Sequence, residues 1–352
     1  MLTKPHPTDN MPAPLRLGFP VKILGQPGLK SNDSRRHASN PHLRVSIEYL
    51  RLIFTYLRKH SISMYRMASD IAPYATHPDL RRFHNQVEEC SEDLCDLGRL
   101  AREQHLRLSF HPSQYIVLNS PNPNIRAKSV WDLQSQADIL DRMELGPEAV
   151  MVIHAGGAYG DLQAGIHRWV ETWHTLSEPI RRRLVLENDD IRYSAASVWA
   201  IHERTGVPLV FDLQHFCCLN PEGLSLRHTL AKFLATWPNG VRPKLHFSSP
   251  RTEMREVIRK DRKTGKNKTV LLPPIWTGHS DFINPFEFNN FVCQMSDLEF
   301  DVMLEAKAKD LALLRLRQDL LRFAPDLARR FGLDESEATE KETEIPTEAL
   351  KQ

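Results

Sequence analysis

Ala149-Val-Met-Val-Ile-His154-Ala-Gly-Gly157 opens the stretch that decides the fold. An unbroken apolar, β-branched run, Ala149–Ile153, ends abruptly in a histidine and a glycine pair. The amphipathic stretch Asp161–Glu178 follows, with Ile166, Trp169, Val170 and Trp173 at helical spacing. A second short apolar run, Arg183–Leu186, then ends in Glu187-Asn188-Asp189. Runs apolar on both faces read as strands buried on both sides, and a helix between two of them makes the pair parallel.

The same unit recurs in both directions along the chain. Apolar runs at Leu15–Val21, Ser63–Ala68, Leu106–Phe110, Pro208–Phe211, Pro243–Phe247 and Phe300–Leu304 complete a set of eight. Amphipathic stretches lie between and after them, at Pro41–Lys59, Pro78–Gln104, Asn124–Leu145, Ala195–Arg204, Ser225–Thr236, Asn284–Met295 and Asp310–Phe323. Eight strand–helix units in series predict an α/β fold, a single-domain (β/α)8 TIM barrel over residues 15–332. An open dinucleotide-binding sheet would want a GxGxxG turn, and Gly156-Gly157 does not supply one.

Composition narrows the class. The 352 residues are 41% hydrophobic and 26% charged, ordinary for a globular chain with a core. No apolar run approaches the ~18 residues of a membrane span. Residues 1–14 carry four prolines and no apolar signal-like segment, so they read as a flexible leader. Five cysteines without a CxxC pair argue for reduced thiols and a cytoplasmic protein. Residues 333–352 hold seven acids and two lysines and read as an acidic disordered tail, which leaves +7 on the remainder. A basic body leans toward an anionic partner.

Chemistry in a barrel of this kind sits at the C-terminal ends of the strands. Six consecutive runs here end in His111, His154, Glu187, Asp212 with His215, His246, and Glu305; His279 precedes the last outer helix but one. Ionised together at one barrel mouth, Glu187, Asp212 and Glu305 would repel strongly, and bound divalent cations remove that repulsion. Imidazole and carboxylate without thiolate suit Mn²⁺, Zn²⁺ or Fe²⁺. Three acids and five histidines overfill a mononuclear site, so two or three ions are expected. Sites of that type commonly break phosphate esters.

The segments LRLGF, YRMASD, SFHPSQY, VIHAGGAYG, LENDD, FDLQH, KLHFSS and MLEAKAKDLALLRL, in that order, resemble those of the UV damage endonucleases. The resemblance runs from about Leu15 to Leu321. It implies a metal-dependent TIM-barrel nuclease related to endonuclease IV, with Mn²⁺ preferred and Zn²⁺, Co²⁺ or Mg²⁺ as other candidates. It implies cleavage of double-stranded DNA on the 5′ side of UV photoproducts and other distorting lesions, leaving a 3′-hydroxyl, by a monomer acting at the bacterial nucleoid. His111, His154 and Glu187 would hold one ion. Glu187, Asp212, His246 and Glu305 would hold a second, and His215 and His279 a third. Glu187, Glu305 and Lys244 would be catalytic, Lys244 matching a lysine that the family carries in modified form. Gln114 and Tyr115 match a pair that probes a distorted base step.

Two departures touch recognition and ligation. Related sequences supply an aromatic and then an asparagine from the first strand; Phe19 keeps the ring, but Val21-Lys22-Ile23 has no asparagine. Gln214 stands where a second histidine is common. Two loops on the expected metal face are basic. Leu29–Arg44 carries Lys30, Arg35, Arg36 and Arg44; Arg251–Pro274 holds eight Lys/Arg against three acids, with a hairpin-like turn at Lys263–Asn267. Lys263, Lys266, Arg66 and Ser69 are therefore expected to contact DNA, with Phe19 near the lesion. The alternatives are an abasic-site endonuclease, a sugar isomerase on the same barrel, and a non-catalytic DNA-binding barrel.

Overall fold

The computed structural model describes residues 13–261 and 263–333. Its chain runs β1 (Leu17–Pro20), α1 (Leu43–Lys59), β2 (Met64–Arg66), α2 (Gln86–Glu89), α3 (Ser91–Glu103), β3 (Arg107–Phe110), α4 (Pro123–Arg142) and β4 (Val150–His154). Then follow α5 (Leu162–Thr175), α6 (Glu178–Arg181), β5 (Leu184–Glu187), α7 (Ala195–Thr205), β6 (Leu209–Asp212), α8 (Leu213–Cys218), α9 (Leu226–Leu234) and β7 (Lys244–Phe247). Four short strands come next: β8 (Pro250–Arg251), β9 (Arg255–Lys260), β10 (Asn267–Leu272) and β11 (Ile275–His279). The chain closes with α10 (Pro285–Gln294), β12 (Asp301–Leu304), α11 (Lys309–Phe323) and α12 (Pro325–Arg330). Strands β1 to β7 and β12 form a closed parallel barrel in the order β1-β12-β7-β6-β5-β4-β3-β2. The eight-unit (β/α)8 reading holds.

Strand side chains alternate between the helical layer and the lumen. Val150, Val152, Val185 and Val210 pack with Trp237 in a small cluster of their own inside the barrel. Leu184, Leu186, Leu209 and Phe211 belong instead to the large cluster shared with the helices. On α1, Leu43, Ile47, Leu50, Phe54 and Leu57 are buried at three- and four-residue intervals, the stripe a barrel-facing helix needs. Gly18 faces the lumen opposite Met64, whose Cγ would lie 2.7 Å from any Cβ built there. That close approach needs glycine.

Two expected helices are broken. Pro78–Gln104 divides into a 3-10 turn at Arg81–Phe83 followed by α2 and α3. The buried Gln86 side chain accepts from Leu43 N (2.7 Å) and donates to Pro73 O (2.7 Å) and Phe83 O (2.9 Å), tying this segment to irregular backbone. Asp161–Glu178 stops at Thr175, and Pro179, which lacks an N–H, begins the separate α6. At the chain ends, Ala13 and Pro14 are held rather than loose, since Arg242 donates 2.7 Å bonds to both carbonyls. Leu333 is buried, its N–H bonded to Ala328 O at 3.0 Å. The rest of the expected leader and tail lies outside the described residues.

The lower end of the lumen is closed by a buried ion pair. Arg107 Nη1 donates to Asp301 Oδ2 at 2.7 Å, its guanidinium lies 5.5 Å from the Trp237 ring centroid, and Arg16 N donates to Asp301 Oδ1 at 2.9 Å. Asp301→Ala should lower stability by about 3–5 kcal/mol, because it leaves a buried guanidinium unpaired. Denaturant unfolding checks this; a loss near zero would mean the pair contributes nothing at this position.

Candidate metal centre at the barrel mouth

The lumen-facing register leads directly to the site. His154 stands two residues beyond Val152, Glu187 two beyond Val185, and Asp212 two beyond Val210. His246 and Glu305 hold the same relation to Lys244 and Met303, and His111 to Ser109. Five strands that bury small or apolar residues inside the barrel, and β7, which buries Lys244, thus present ligand-type side chains on the next inward step.

Glu187 is the hub. Its Oε2 lies 3.0 Å from His111 Nε2 and 3.7 Å from His154 Nε2, and its Oε1 2.9 Å from His246 Nδ1 and 3.5 Å from His215 Nδ1. His246 Nδ1 also reaches Glu305 Oε1 at 3.3 Å, and His279 Nδ1 lies 3.8 Å from Glu305 Oε2. Three groups have ligand atoms close enough to share an ion: His111, His154 and Glu187; Glu187, Asp212 and His215; and His111, His246 and Glu305. The first matches the expected trio. His215 joins Glu187 and Asp212, while its ring centroid stands 6.2 Å from that of His279, which enters none of the three groups.

Neighbouring backbone holds these side chains in place. Asn188 Nδ2 donates to Asp212 O (3.0 Å) and its Oδ1 accepts from Asp212 N (2.9 Å), joining the ends of β5 and β6. Asp212 Oδ1 caps α8 by accepting from His215 N at 2.7 Å, which turns His215 back toward the mouth. Gly156, at φ +106°, lets the chain leave β4 past Asn119, whose Oδ1 would lie 2.6 Å from a Cβ.

Electrostatics show what the cluster lacks. Burial works against the ionised form of Glu187, yet His246, His154 and His111 outweigh it and hold the carboxyl well below the usual range. Burial likewise opposes Glu305, where Arg66 and His246 prevail. Asp212 goes the other way: burial, with Glu187 and Glu305 nearby, pushes it up to about 7 despite His215. Burial opposes a charge on His215, but Asp212, Glu187 and Glu305 push its pKa up to about 9. Asp212 Oδ2, His246 Nε2 and His154 Nδ1 are buried with no hydrogen-bond partner among the described residues. The raised pKa values of Asp212 and His215 put protons where a cation would stand, and the orphaned ligand-type atoms are free to meet one. The residues fit a divalent-metal cluster.

Lys244 is fully buried on the inward face of β7, and its Nζ has no hydrogen-bond partner among the described residues. Burial, with Arg107 and Arg66 nearby, pushes its pKa well below the lysine range and favours the neutral amine. Arg66, at the end of β2, donates to Glu305 and so joins the mouth itself. Ser69 is half-buried, and its carbonyl accepts from Gln136 Nε2 at 3.4 Å. Gln114 and Tyr115 are exposed on the rim, Tyr115 at 77%. They help line a cleft of about 420 Å³ that reaches His154, His215 and Arg192.

A family model described as UV-endonuclease UvdE matches residues 31–328. The chain belongs to the UV-endonuclease UvdE family. It is 35% identical over 272 residues to a UV DNA damage endonuclease of Bacillus velezensis, covering 75% of this chain and 77% of that one. A solved structure named SacUVDE shares 30% identity at a TM-score of 0.71, covering 88% of this chain and 98% of the other. A D-tagatose 3-epimerase-like protein is 12% identical with a TM-score of 0.52 over 90% of this chain and 99% of that one, a likeness of fold.

Within this UvdE-family chain the structure corrects one expected site residue. Phe19 does not face a lesion. It is fully buried, edge-on to Tyr65 at 5.4 Å, because alternation turns Gly18 to the lumen and Phe19 to the helical layer. Gln214 spends its amide on hydrogen bonds: its Nε2 donates to Trp276 O (3.0 Å) and Gly278 O (3.2 Å), and its Oε1 accepts from Ser248. It pins β11, the strand that carries His279. Lys263 and Lys266 are exposed beyond β9, away from the cluster. In the other basic loop, Arg35 is bound by Asp33 (2.7 and 2.6 Å) and Arg44 by Asp93 (3.1 Å). Asn188, Gln214 and the link between Arg66 and Glu305 escape sequence reading. Their one signal was strand-end position, which does not distinguish a ligand from its support.

Metal binding must displace the protons on Asp212 and His215. Affinity for Mn²⁺ should therefore rise with pH from 6 to 9, because Asp212 ionises only near 7 and His215 near 9. Calorimetry in buffers of differing ionisation enthalpy should record proton release on binding; affinity independent of pH would remove both groups from the ligand set.

Proposed function

We propose that this protein is a metal-dependent DNA repair endonuclease. It nicks duplex DNA on the 5′ side of UV photoproducts and other helix-distorting lesions and leaves a 3′-hydroxyl. The observation that carries the reading is the convergence of four imidazoles on Glu187, with Asp212 and Glu305 sharing them, beside a rim that exposes Gln114 and Tyr115. Membership of the UvdE family and the names of the relatives support the same reading.

Two or three divalent cations, Mn²⁺ preferred and Zn²⁺, Co²⁺ or Mg²⁺ as alternatives, would supply Lewis acidity toward the phosphate ester and the attacking water. His111, His154, Asp212, His215, His246, His279 and Glu305 would hold them, with Glu187 common to two of the ligand groups. Arg66 holds Glu305 by a charge-assisted bond and fixes the direction of its carboxylate. Burial works against a positive charge on Lys244 beneath the cluster.

Lesion choice falls to the rim. Tyr115 offers a flat ring and Gln114 an amide to base edges at a step where damage has weakened stacking. Arg66 and Ser69 lie beside the mouth, and Lys263 and Lys266 supply charge for phosphates farther out. No described helix is long and apolar enough to cross a membrane.

Nicking of UV-irradiated and abasic duplexes, with Mn²⁺, Mg²⁺ or a chelator, tests the reading. Expected are cleavage of the irradiated duplex with Mn²⁺ and its loss with chelator; cleavage of abasic sites alone would favour an abasic-site endonuclease. Glu187→Gln should abolish nicking, and His279→Ala should cost less, because Glu187 meets four imidazoles and His279 only Glu305. Equal losses would unseat Glu187 as the bridge. Tyr115→Ala should weaken binding to damaged duplex by about ten- to a hundredfold, from a stacking contribution of roughly 1–3 kcal/mol per base. Binding to undamaged duplex should barely change; an equal loss on both would make Tyr115 a structural residue.

A further inference from the structure

Between β7 and β12 the chain leaves the barrel mouth as an antiparallel ribbon. At its root β8 pairs with β11, Ile275 opposite Arg251 and His279 opposite Pro250. Gln214 locks this root to the barrel through its bonds to Trp276 O and Gly278 O. Beyond the root β9 and β10 pair in unbroken register from Leu272 opposite Arg255 to Asn267 opposite Lys260. Asp261 Oδ1 accepts from Lys263 N (2.9 Å), Thr264 N (2.8 Å) and Thr264 Oγ1 (3.0 Å), and Gly265 takes φ +68°. This is a built arm, anchored beside the metal centre.

Its two faces differ. One carries Arg255, Val257 and Arg259 with Lys268, Val270 and Leu272, and the other Glu256, Ile258 and Lys260 with Asn267, Thr269 and Leu271. The first face has three bases and no acid. Its Arg255, Val257, Val270 and Leu272 are half-buried, while Glu256, Ile258, Thr269 and Leu271 opposite them are exposed. Arg259, Lys260, Lys263, Lys266 and Lys268 are exposed, and none forms an ion pair among the described residues. Asp261, the acid nearest them, is occupied by the turn.

Unpaired cations on a rigid support call for a polyanion that runs alongside. A six-residue strand spans about 20 Å, roughly the length of six base pairs, and a two-stranded ribbon fits the width of a major groove. The arm leaves the mouth from one side of the barrel only. We propose that β8–β11 is a one-sided arm that holds the phosphates of duplex DNA about half a helical turn from the metal centre, on a single flank of the cut. Lesion-independent affinity then comes from the arm, and lesion preference from the rim. The proposal rests on duplex DNA being the substrate.

The test is a variant carrying Arg259→Gln, Lys263→Gln, Lys266→Gln and Lys268→Gln, all exposed positions that leave the ribbon's register and turn intact. Its affinity for a duplex of about 30 base pairs, with and without a central UV photoproduct, is measured by fluorescence anisotropy across a salt series. Damaged and intact duplexes should both bind about ten- to a hundredfold more weakly. The salt slope should become shallower by roughly 2–4, at ~0.9 per lost phosphate contact. Trimming one particular flank to about three base pairs should erase the difference between variant and parent, and trimming the other should preserve it.

Unchanged affinity and slope would overturn the arm, and a loss indifferent to either flank would overturn its one-sidedness. A second variant, Ile258→Ser with Leu271→Ser, should bind DNA as the parent does. If it alone weakens binding, the apolar face is the contact and the phosphate reading fails. Nicking of irradiated DNA by a parent whose affinity ignores the four substitutions would reject the arm and keep the endonuclease. A flank-dependent loss in a protein that nicks nothing would do the reverse.

Discussion

Three carboxylates at the mouth of a narrow barrel repel one another, and the rest of the molecule is organised around that repulsion. Glu187 and Asp212 are fully buried and Glu305 nearly so, so water does little to screen them. Five imidazoles surround them, and even so Asp212 keeps its proton to about pH 7. The imidazolium of His215 is therefore not enough to let all three ionise together at neutrality. A divalent cation would fill that deficit. It would also meet ligand-type atoms such as Asp212 Oδ2 and His246 Nε2, which are buried without a hydrogen-bond partner among the described residues.

A barrel can tolerate such a mouth only if its other end does not add to the strain. At the lower end Arg107 and Asp301 neutralise each other at 2.7 Å, and four valines with Trp237 fill the lumen between. Lys244 sits in that same inward register, pushed toward its neutral form by burial and by the guanidiniums of Arg107 and Arg66. Burial therefore works against an ammonium at Lys244 that would compete with cations for Glu187 and Glu305. Lys244 is the side chain that feels both the floor's Arg107 and the mouth's carboxylates.

The fold was legible because each of eight strands is apolar on both faces and each is followed by a helical stripe. The convergence of these histidines and acids was legible because a strand of period two must end somewhere, and here it ends on the inward step in a residue no core would choose. What stayed hidden depended on which face a residue takes. Phe19 reads as an aromatic near the mouth, yet Gly18, required against Met64, turns it into the helical layer. Arg66 reads as a base on the mouth face awaiting DNA, yet its position two beyond the inward Met64 delivers it to Glu305. Asn188 and Gln214 act through bonds to distant backbone carbonyls, and linear sequence carries no trace of such partners.

Gln214 shows how a departure from a familiar pattern can preserve a site. A histidine there would add an imidazole whose charge varies with pH and with bound cation. An amide does not titrate, and this one holds Trp276 O, Gly278 O and Ser248 together. The strand that carries His279 is therefore positioned by neutral hydrogen bonds, whatever the protonation of the cluster beside it. Because β11 is also half the root of the basic ribbon, the same amide fixes both the outermost imidazole and the direction in which the ribbon leaves the barrel. Ligand geometry at the mouth and charge placement beyond it are mechanically one thing.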